Sequence, residues 1–302
     1  PSADNFIWGV GNEMETMSLY VNQDIFDELG LEQPKTIEEL TEDMKVIKDA
    51  GYNVLANTLD SEWYNNMNFI GTILYSYMSQ DEIENVMNQD GSWDKESVRA
   101  AVECIADWLD KGYFPSHPEV DGDQEQLYFA GDTALWITGN WEVGNTTEKT
   151  DFTTSIYPFS GSETCSDGGS QVNFAGGAYL VYSGSESKEA AYKFIEWWNT
   201  ADKDGKSPAL EWSLENGFPA YTYSVQDNEE YKANKKLSAM SAANPEAPTD
   251  FIVDSNFPGI SSVLTDVIPE MINSVAFGKS SVDEALEKAQ NSADKIVEKY
   301  NK

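Results

Sequence analysis

Apolar residues recur along the chain at two spacings, one typical of amphipathic helices and the other of buried strands. A helix is predicted between Thr36 and Gly51, and Thr36 and Glu39 have the spacing of a reciprocal N-terminal cap. Its apolar face consists of Ile37, Leu40, Met44 and Ile47. A shorter helix over residues 24–29 is predicted to end at Gly30, a residue type that favours helix C-termini.

Two further helices carry their own start and stop signals. Asp94 is predicted to be the N-cap of a helix that ends before Gly112. Ser281 and Glu284 have the capping spacing again and predict a last helix that runs to about Tyr300. A helix over residues 259–277 contains Pro269, so we expect a kink there.

Short β-rich runs alternate with these helices. The predicted strands cover residues 17–21, 53–57, 133–138, 152–157 and 178–182. Residues 160–170 are rich in serine and glycine and are predicted to form a loop. Alternation of strands and helices indicates an α/β fold.

The stretch 131–141 (GDTALWITGNW) combines a buried strand with a tight turn that ends in a tryptophan. Gly139 and Asn140 are turn residues, so Trp141 is predicted to lie at the mouth of the strand. An indole in that position suits stacking on the apolar face of a sugar ring. The alternative is a core residue, because tryptophan is usually well buried.

Other polar and aromatic residues fall at predicted loop mouths. Glu15 follows a short strand predicted over residues 6–10, and the alternative is that it is one more surface acid. Trp63 and Tyr64 lie where a strand gives way to a helix, which also fits packing at a helix entry. The remaining candidates are Gly176 and Gly177, which alternatively form a simple turn, and Trp212, which alternatively lies in the core.

Composition excludes several classes of partner. The chain has 302 residues, enough for two domains, and a net charge of −34. Nucleic acids and anionic membrane surfaces need a basic footprint, so neither is expected as a partner. No apolar run approaches the 18 residues or so that a membrane span requires. The chain starts at Pro1 without a signal peptide, so we expect that a preceding segment was removed.

Motifs for catalysis or metal binding are weak. His117 is the sole histidine and lies in a proline-bounded loop, so a nucleophile–histidine pair is not predicted. No cofactor and no metal are predicted, although residues 200–211 match part of a calcium loop. With 53 acidic residues, no carboxylate pair can be singled out for glycoside hydrolysis. Cys104 and Cys165 are predicted to be free thiols, with a disulfide as the alternative.

Several segments together resemble one protein family. They are residues 19–36 (LYVNQDIFDELGLEQPKT), 131–141, 175–181 (AGGAYLV), 187–198 (SKEAAYKFIEWW) and 278–285 (GKSSVDEA). In order and spacing, the chain resembles the extracellular solute-binding proteins of ABC transporters, in the carbohydrate-binding class that includes maltose-binding protein. The resemblance implies a periplasmic-binding-protein-like α/β fold of two lobes that close by a hinge. It also implies that positions such as Glu15, Trp63, Trp141 and Gly177 face the ligand cleft.

The resemblance also implies where the lobes divide. Residues 1–10 and 174–243 would belong to the N-terminal lobe, and residues 11–173 and 244–302 to the C-terminal lobe. Members of the family have roughly a hundred residues before the segment that matches residues 6–22, so the first lobe is expected to be incomplete. We therefore expect its sheet to show an unpaired edge or an apolar face without a cover.

The function implied by the resemblance is non-enzymatic. The protein is expected to bind a carbohydrate, in particular an oligosaccharide, and to deliver it to the permease subunits of an ABC importer. It would act as a monomer outside the cell or in the periplasm, and would be lipid-anchored at full length. The alternatives are a glycoside-active enzyme that uses two of the carboxylates and a surface domain for carbohydrate adhesion.

Overall fold

The computed structural model describes most of the chain. The described residues are 9–12, 14–59, 69–79, 81–82, 85, 92–118, 123–158, 161–165, 171–175, 177–220, 222–234, 237, 249–251, 259 and 262–300. The candidates Trp63, Tyr64 and Gly176 lie outside these ranges.

Helices and strands alternate through the described residues, and the predicted α/β class is confirmed. The first half contains β1 (Val10–Gly11), β2 (Met14–Asn22), α1 (Gln23–Leu29), α2 (Ile37–Asp49), β3 (Asn53–Leu55), α3 (Gly71–Ser76), α4 (Glu96–Asp110), α5 (Gln124–Phe129), β4 (Thr133–Gly139) and α6 (Glu142–Glu148). The second half contains β5 (Thr154–Pro158), β6 (Gln171–Ala175), β7 (Ala178–Tyr179), α7 (Lys188–Asn199), α8 (Pro208–Asn216), α9 (Tyr223–Gln226), α10 (Glu229–Ala233), β8 (Thr249–Phe251), a π-helix (Val263–Val267), α11 (Ile268–Ala276) and α12 (Val282–Tyr300).

The chain folds into two compact units. The smaller comprises Pro1–Thr16, Gly139–Glu148 and Asn173–Thr249, and the larger comprises Met17–Thr138, Lys149–Val172 and Asp250–Lys302. The segment that contains Trp141 therefore belongs to the smaller unit, whereas the preceding strand residues belong to the larger one. The lobe boundaries expected from the resemblance remain a prediction.

Hydrogen bonds join the strands into two sheets. The main sheet has the order β3-β4-β2-β6-β8, with β5 paired to β2, and a two-stranded sheet joins β1 to β7. Strands β3 and β4 are parallel, whereas β2 runs antiparallel to both β5 and β6. The parallel pair brings the carboxyl ends of β3 and β4 to the same edge, and residues at such edges commonly form ligand sites.

The core of the larger unit contains a buried polar network that joins the residues just after β3 to β4 and to the start of α5. Asn57 donates from Nδ2 to the carbonyl of Ile137 at 2.8 Å and accepts the amide of Ile137 at 2.9 Å. Trp136 donates from Nε1 to Gln124 at 3.0 Å, and Gln124 donates to Thr58 at 2.9 Å. Each of these polar side chains is buried, so the bonds compensate for the loss of water.

The helix predicted after Thr36 is confirmed as α2, and all four predicted apolar residues are buried. Thr36 accepts the amide of Glu39 at 3.1 Å, as expected for the cap. In a reciprocal cap the Glu39 carboxylate would accept the amide of Thr36. Here it accepts the amide of Lys35 instead, at 2.6 Å. Asp43, on the same helix, is partly buried, and burial followed by repulsion from Glu39 raises the pKa of its carboxyl to about 6.

The raised pKa of Asp43 predicts a pH-dependent stability. Because the folded state binds this proton more tightly, the stabilising contribution is present below pH 3.8 and is lost as pH rises through about 6. The full pKa difference corresponds to about 3 kcal/mol, and solvent screening of the partly exposed group reduces it to about 1 kcal/mol. Asp43→Asn should therefore stabilise the protein at pH 8 and change little at pH 4. Urea unfolding at both pH values measures this, and exposed Glu42→Gln is the control.

The last predicted helix is confirmed as α12, and its cap is reciprocal. Ser281 donates its amide to Glu284 at 3.0 Å, and Glu284 donates its amide to the Ser281 hydroxyl at 3.3 Å. Hydrogen bonds from the Ser281 amide and hydroxyl lower the pKa of Glu284, as expected for a carboxylate that accepts bonds.

Removal of this cap should weaken the end of the chain. We expect Ser281→Ala to lower the free energy of unfolding by about 1 kcal/mol, because the Glu284 amide loses its partner. Chemical denaturation measures the change, and Ser280→Ala, one residue outside the cap, is the matched control. A loss equal to that of the control would show that the helix does not depend on this cap.

Other predicted boundaries were wrong. The N-cap of α4 is Lys95 and not Asp94, whose carboxylate instead contacts the Arg99 guanidinium at 3.3 Å. The strand predicted over residues 178–182 ends at Tyr179. Within the helix predicted over residues 259–277, a π-helix over Val263–Val267 passes directly into α11 at Ile268, and the kink expected at Pro269 stays a prediction.

Large apolar side chains are exposed on the smaller unit, on helix α7 and just before it, whereas the uncovered edge or face expected of the sheet stays a prediction. Helix α7 has a helical apolar pattern, yet none of its residues is buried. The large exposed apolar residues here are Leu180, Tyr182, Tyr192, Phe194 and Trp197. Contiguous exposed apolar surface of this kind is uncommon in isolated domains. Among the described residues, no helix is both long and apolar enough to span a bilayer.

Candidate functional site

Strand β4 leads directly into Trp141. Every residue from Thr133 to Gly139 is buried, and the chain turns at Asn140 before α6 begins at Glu142. Trp141 itself is partly exposed. The turn therefore lies at Asn140 and Trp141, one residue later than predicted, because Gly139 is the last residue of β4. The partial exposure of Trp141 is compatible with a stacking platform, and that role stays a prediction.

Asn140 fixes the direction of this turn. It is fully buried, and its side-chain Oδ1 accepts the amide of Thr16 at 2.7 Å. Its own amide donates to the carbonyl of Thr16 at 3.0 Å, and its carbonyl accepts the amide of Val143 at 3.1 Å. Three bonds on one turn residue leave little freedom for the backbone that carries Trp141. Sequence reasoning identified Asn140 as a turn residue but not as a clamp on β2.

Gly139 allows the indole of Trp141 to lie against the backbone. A Cβ atom at Gly139 would overlap the six-membered ring of Trp141. The absence of a side chain is therefore required by a close approach and not by an unusual backbone angle, since the φ of Gly139 is not positive.

The overlap at Gly139 predicts a coupled mutational effect. Gly139→Ala should displace the indole and lower the free energy of unfolding by about 1–3 kcal/mol, as overpacking does. In a Trp141→Ala background the same change should cost much less, because the overlapping ring is gone. Denaturant unfolding of the wild type, the two single variants and the double variant measures the coupling. Gly144→Ala is the control, because its Cβ would meet only the Asn216 carbonyl at 3.5 Å.

Glu15 lies near Trp141 because the backbones of their neighbours, Thr16 and Asn140, are hydrogen-bonded to each other. It precedes Thr16 on β2, and Trp141 follows Asn140, so both lie next to the Thr16–Asn140 hydrogen bonds. Glu15 is partly buried and is paired in register with Phe174 of β6. The structure therefore brings two predicted binding residues into one part of the smaller unit.

Glu142 is a polar residue that sequence reasoning missed. It is 5% exposed, and its Oε2 accepts a hydrogen bond from Asn145 Nδ2 at 3.0 Å. Burial of a carboxylate costs free energy unless hydrogen bonds compensate for it. A buried glutamate directly after Trp141 is therefore a candidate for a functional role. The available signal was a glutamate at the first turn of a short helix, three residues before an asparagine.

Gly177 and Trp212 are held by separate contacts. The carbonyl of Gly177 accepts the amide of Asn12 at 2.9 Å, immediately before β7. Trp212 lies on α8 and stacks on Phe218, with ring centroids 4.9 Å apart and an interplanar angle of 17°. Its second ring contact is with Trp198, at 6.3 Å. These contacts fit the alternative of aromatic packing for Trp212, and its binding role stays a prediction.

The residues that could carry other chemistry have structural roles. His117 lies exposed in its loop, and neither Cys104 nor Cys165 forms a disulfide, as predicted. Burial raises the pKa of the Cys104 thiol to about 12, which makes it unreactive. The Asp202 carboxylate accepts amides of Asp204 and Lys206 at 2.8 and 3.0 Å and so stabilises a turn. Within the described ranges, no group of acids, histidines and cysteines could hold a metal ion.

Comparison with solved structures places the fold. A chitin oligosaccharide binding protein superimposes with a TM-score of 0.78 at 17% identity, covering 98% of this chain and 73% of that protein. Maltose-bound MalE3 of T. maritima gives 0.73 at 17% identity, with coverage of 96% and 73%. The GacH receptor of Streptomyces glaucescens, solved with and without acarbose, gives 0.72 at 16% identity, with coverage of 96% and 71%.

At these identities the likeness establishes the fold alone, which is that of the two-lobe sugar-binding proteins. No curated protein matches the sequence. The family comparison is more direct, because the model of the bacterial extracellular solute-binding proteins matches residues 3–239. That match covers well over half of the chain. The chain therefore belongs to the bacterial extracellular solute-binding protein family.

Proposed function

We propose that this protein binds a carbohydrate, in particular an oligosaccharide, and delivers it to the permease of an ABC importer. The observation that carries the proposal is the geometry of Trp141. Its partly exposed indole lies on the backbone of Gly139, at the end of a buried strand that Asn140 clamps to β2. A rigid, partly exposed aromatic ring suits the C–H face of a sugar and loses little entropy on binding.

Polar groups beside the platform supply the second part of sugar recognition. Glu142 directly follows the turn in the chain, and Glu15 directly precedes Thr16, the residue to which Asn140 is hydrogen-bonded. Carboxylate oxygens accept hydrogen bonds from sugar hydroxyls, and a ligand that lacks the matching hydroxyl leaves such groups unpaired. With a net charge of −34, the protein favours neutral over anionic saccharides.

The comparisons support the class of ligand and the partner. Family membership implies delivery of a solute to ABC permease subunits. The solved relatives bind chitin oligosaccharides, maltose and acarbose, all of which are carbohydrates. In this proposal the protein acts outside the cell or in the periplasm, and the full-length protein is anchored to the cell surface by a lipid. It binds its ligand without chemistry, as binding proteins of this family do.

A panel of oligosaccharides tests the proposal. Thermal-shift measurements with malto-, chito- and xylo-oligosaccharides should show a rise in melting temperature with at least one series, because ligand that binds only the folded state stabilises it. Mass spectrometry of the recovered ligand should show it intact. The absence of any shift would contradict carbohydrate binding, and release of shorter products would indicate a glycoside-active enzyme instead.

A further inference from the structure

A groove of about 590 Å³ lies between α7 and the start of α8, within the smaller unit. One wall is the face of α7 that carries Lys193, Glu196 and Trp197, with Thr200 directly after the helix. The other wall consists of the turn after α7 and the first turn of α8. The volume falls in the range of about 300–1,000 Å³ that is typical of small-ligand sites. All of its lining residues lie apart in sequence from the Trp141 segment.

An exposed indole forms the apolar part of this groove. Trp197 is 58% exposed, which is unusual for tryptophan. Phe194 supports it from the same helix, with ring centroids 5.7 Å apart. The face of an indole attracts cations through its quadrupole, and tryptophan is the strongest of the aromatic residues in this respect.

Two unpaired carboxylates line the groove beside the indole. Glu196 lies on α7 and Glu211 on α8, so they come from opposite walls. Within the described part of the chain, neither carboxylate has a hydrogen-bond or ion-pair partner.

The two lysines that line the groove form ion pairs with acids outside it. The Lys193 ammonium pairs with Glu189 at 2.9 Å, and the Lys206 ammonium pairs with Glu230 at 3.5 Å. Neither of these two acids lines the groove. Asp202 also lines it and adds negative charge, although its Oδ1 is bonded within the turn. Pro208 at the first position of α8 has no amide hydrogen to offer an anion. The groove is therefore acidic, with its lysines already neutralised.

We propose that this groove binds a guanidinium group, which stacks on Trp197 and donates hydrogen bonds to Glu196 and Glu211. A guanidinium is planar, remains charged at all physiological pH values, and presents donors on its edges while its face stacks on an aromatic ring. It therefore uses the indole and both carboxylates at once. An ammonium group is compact and strongly hydrated, so it matches the flat indole less well.

A matched pair of ligands tests the proposal on the intact chain. N-acetyl-arginine amide and N-acetyl-citrulline amide have nearly the same shape, but only the first is charged. Calorimetric titration should show the arginine compound binding at least about 10-fold more tightly, with an affinity that falls as salt screens the charges. Equal affinities, or no measurable binding of the arginine compound, would overturn the proposal.

Matched variants locate the binding. Glu196→Gln with Glu211→Gln should weaken binding of the arginine compound about 10-fold or more, whereas Glu215→Gln, an exposed change on α8, should leave it unchanged. Trp197→Leu should weaken it, whereas Tyr192→Leu on the same helix should not. All of these side chains are exposed or line the groove, so the variants are expected to fold. Equal effects of the groove and control variants would show general attraction to an acidic protein.

A third ligand distinguishes the two sources of a guanidinium. Acetyl-Gly-Arg-Gly amide carries the same side chain on an extended backbone. Tighter binding than that of N-acetyl-arginine amide would support the proposal with a polypeptide as the source. Equal binding would support it with a small guanidinium compound, and weaker binding than the citrulline compound would overturn it.

Discussion

Trp141→Ala should weaken oligosaccharide binding by about 1–3 kcal/mol, which is roughly 5- to 150-fold, while the free energy of unfolding changes little. The reason is the placement of the side chain. Trp141 is partly exposed at the end of β4, so its removal deletes a stacking surface but opens no buried cavity. Calorimetric titration with the saccharide found in the panel and urea unfolding measure the two effects separately.

Trp136→Ala, on the strand that leads to Trp141, is the contrasting variant. Trp136 is 3% exposed, lies between aromatic rings, and donates to Gln124. Its truncation should cost about 3–5 kcal/mol of stability by leaving a cavity. If Trp141→Ala showed the same pattern, with a large loss of stability, Trp141 would be a core residue and not a platform.

Asn57→Ala should lower the free energy of unfolding by about 3 kcal/mol. Asn57 is 1% exposed, and its side chain satisfies both the amide and the carbonyl of Ile137. Alanine would leave both backbone groups buried and unpaired, and each such group carries a desolvation penalty. Urea denaturation measures the loss.

Asn53→Ala is the control for this prediction. Asn53 is the first residue of β3, four residues before Asn57, and its side chain is exposed. Its bond to Asp132 comes from the backbone amide, which alanine keeps. We expect a change of no more than about 0.5 kcal/mol. A small effect at Asn57 as well would show that other groups or water can satisfy Ile137.

The elements that could be predicted are those with strong local signals. Helix α12 has a reciprocal cap, and β4 is an uninterrupted apolar run between glycines, so each is specified by adjacent residues. Strand β6 and helices α6 and α8 were not predicted. Helix α6 is only seven residues long and carries few apolar residues, and β6 pairs with β2 across more than 150 residues of sequence. Long-range pairing of this kind has no local sequence signature.

In the candidate site, too, features with local sequence signals could be predicted and features that depend on distant residues could not. The position of Trp141 just after β4 could be predicted, because the residues before it are local turn signals, whereas its role in binding stays a prediction. The clamp by Asn140 could not, because it depends on Thr16, which lies 124 residues away. Glu142 was missed for a related reason, since one glutamate cannot be distinguished among 53 acidic residues until its burial is known.

A crystal structure with the saccharide that gives the largest thermal shift tests the role of Trp141 most directly. We expect a pyranose ring to lie parallel to the indole of Trp141, with carbon atoms about 4 Å from its face and hydroxyl groups directed toward Glu15 or Glu142. A saccharide bound elsewhere, with the face of Trp141 free of contact, would contradict it.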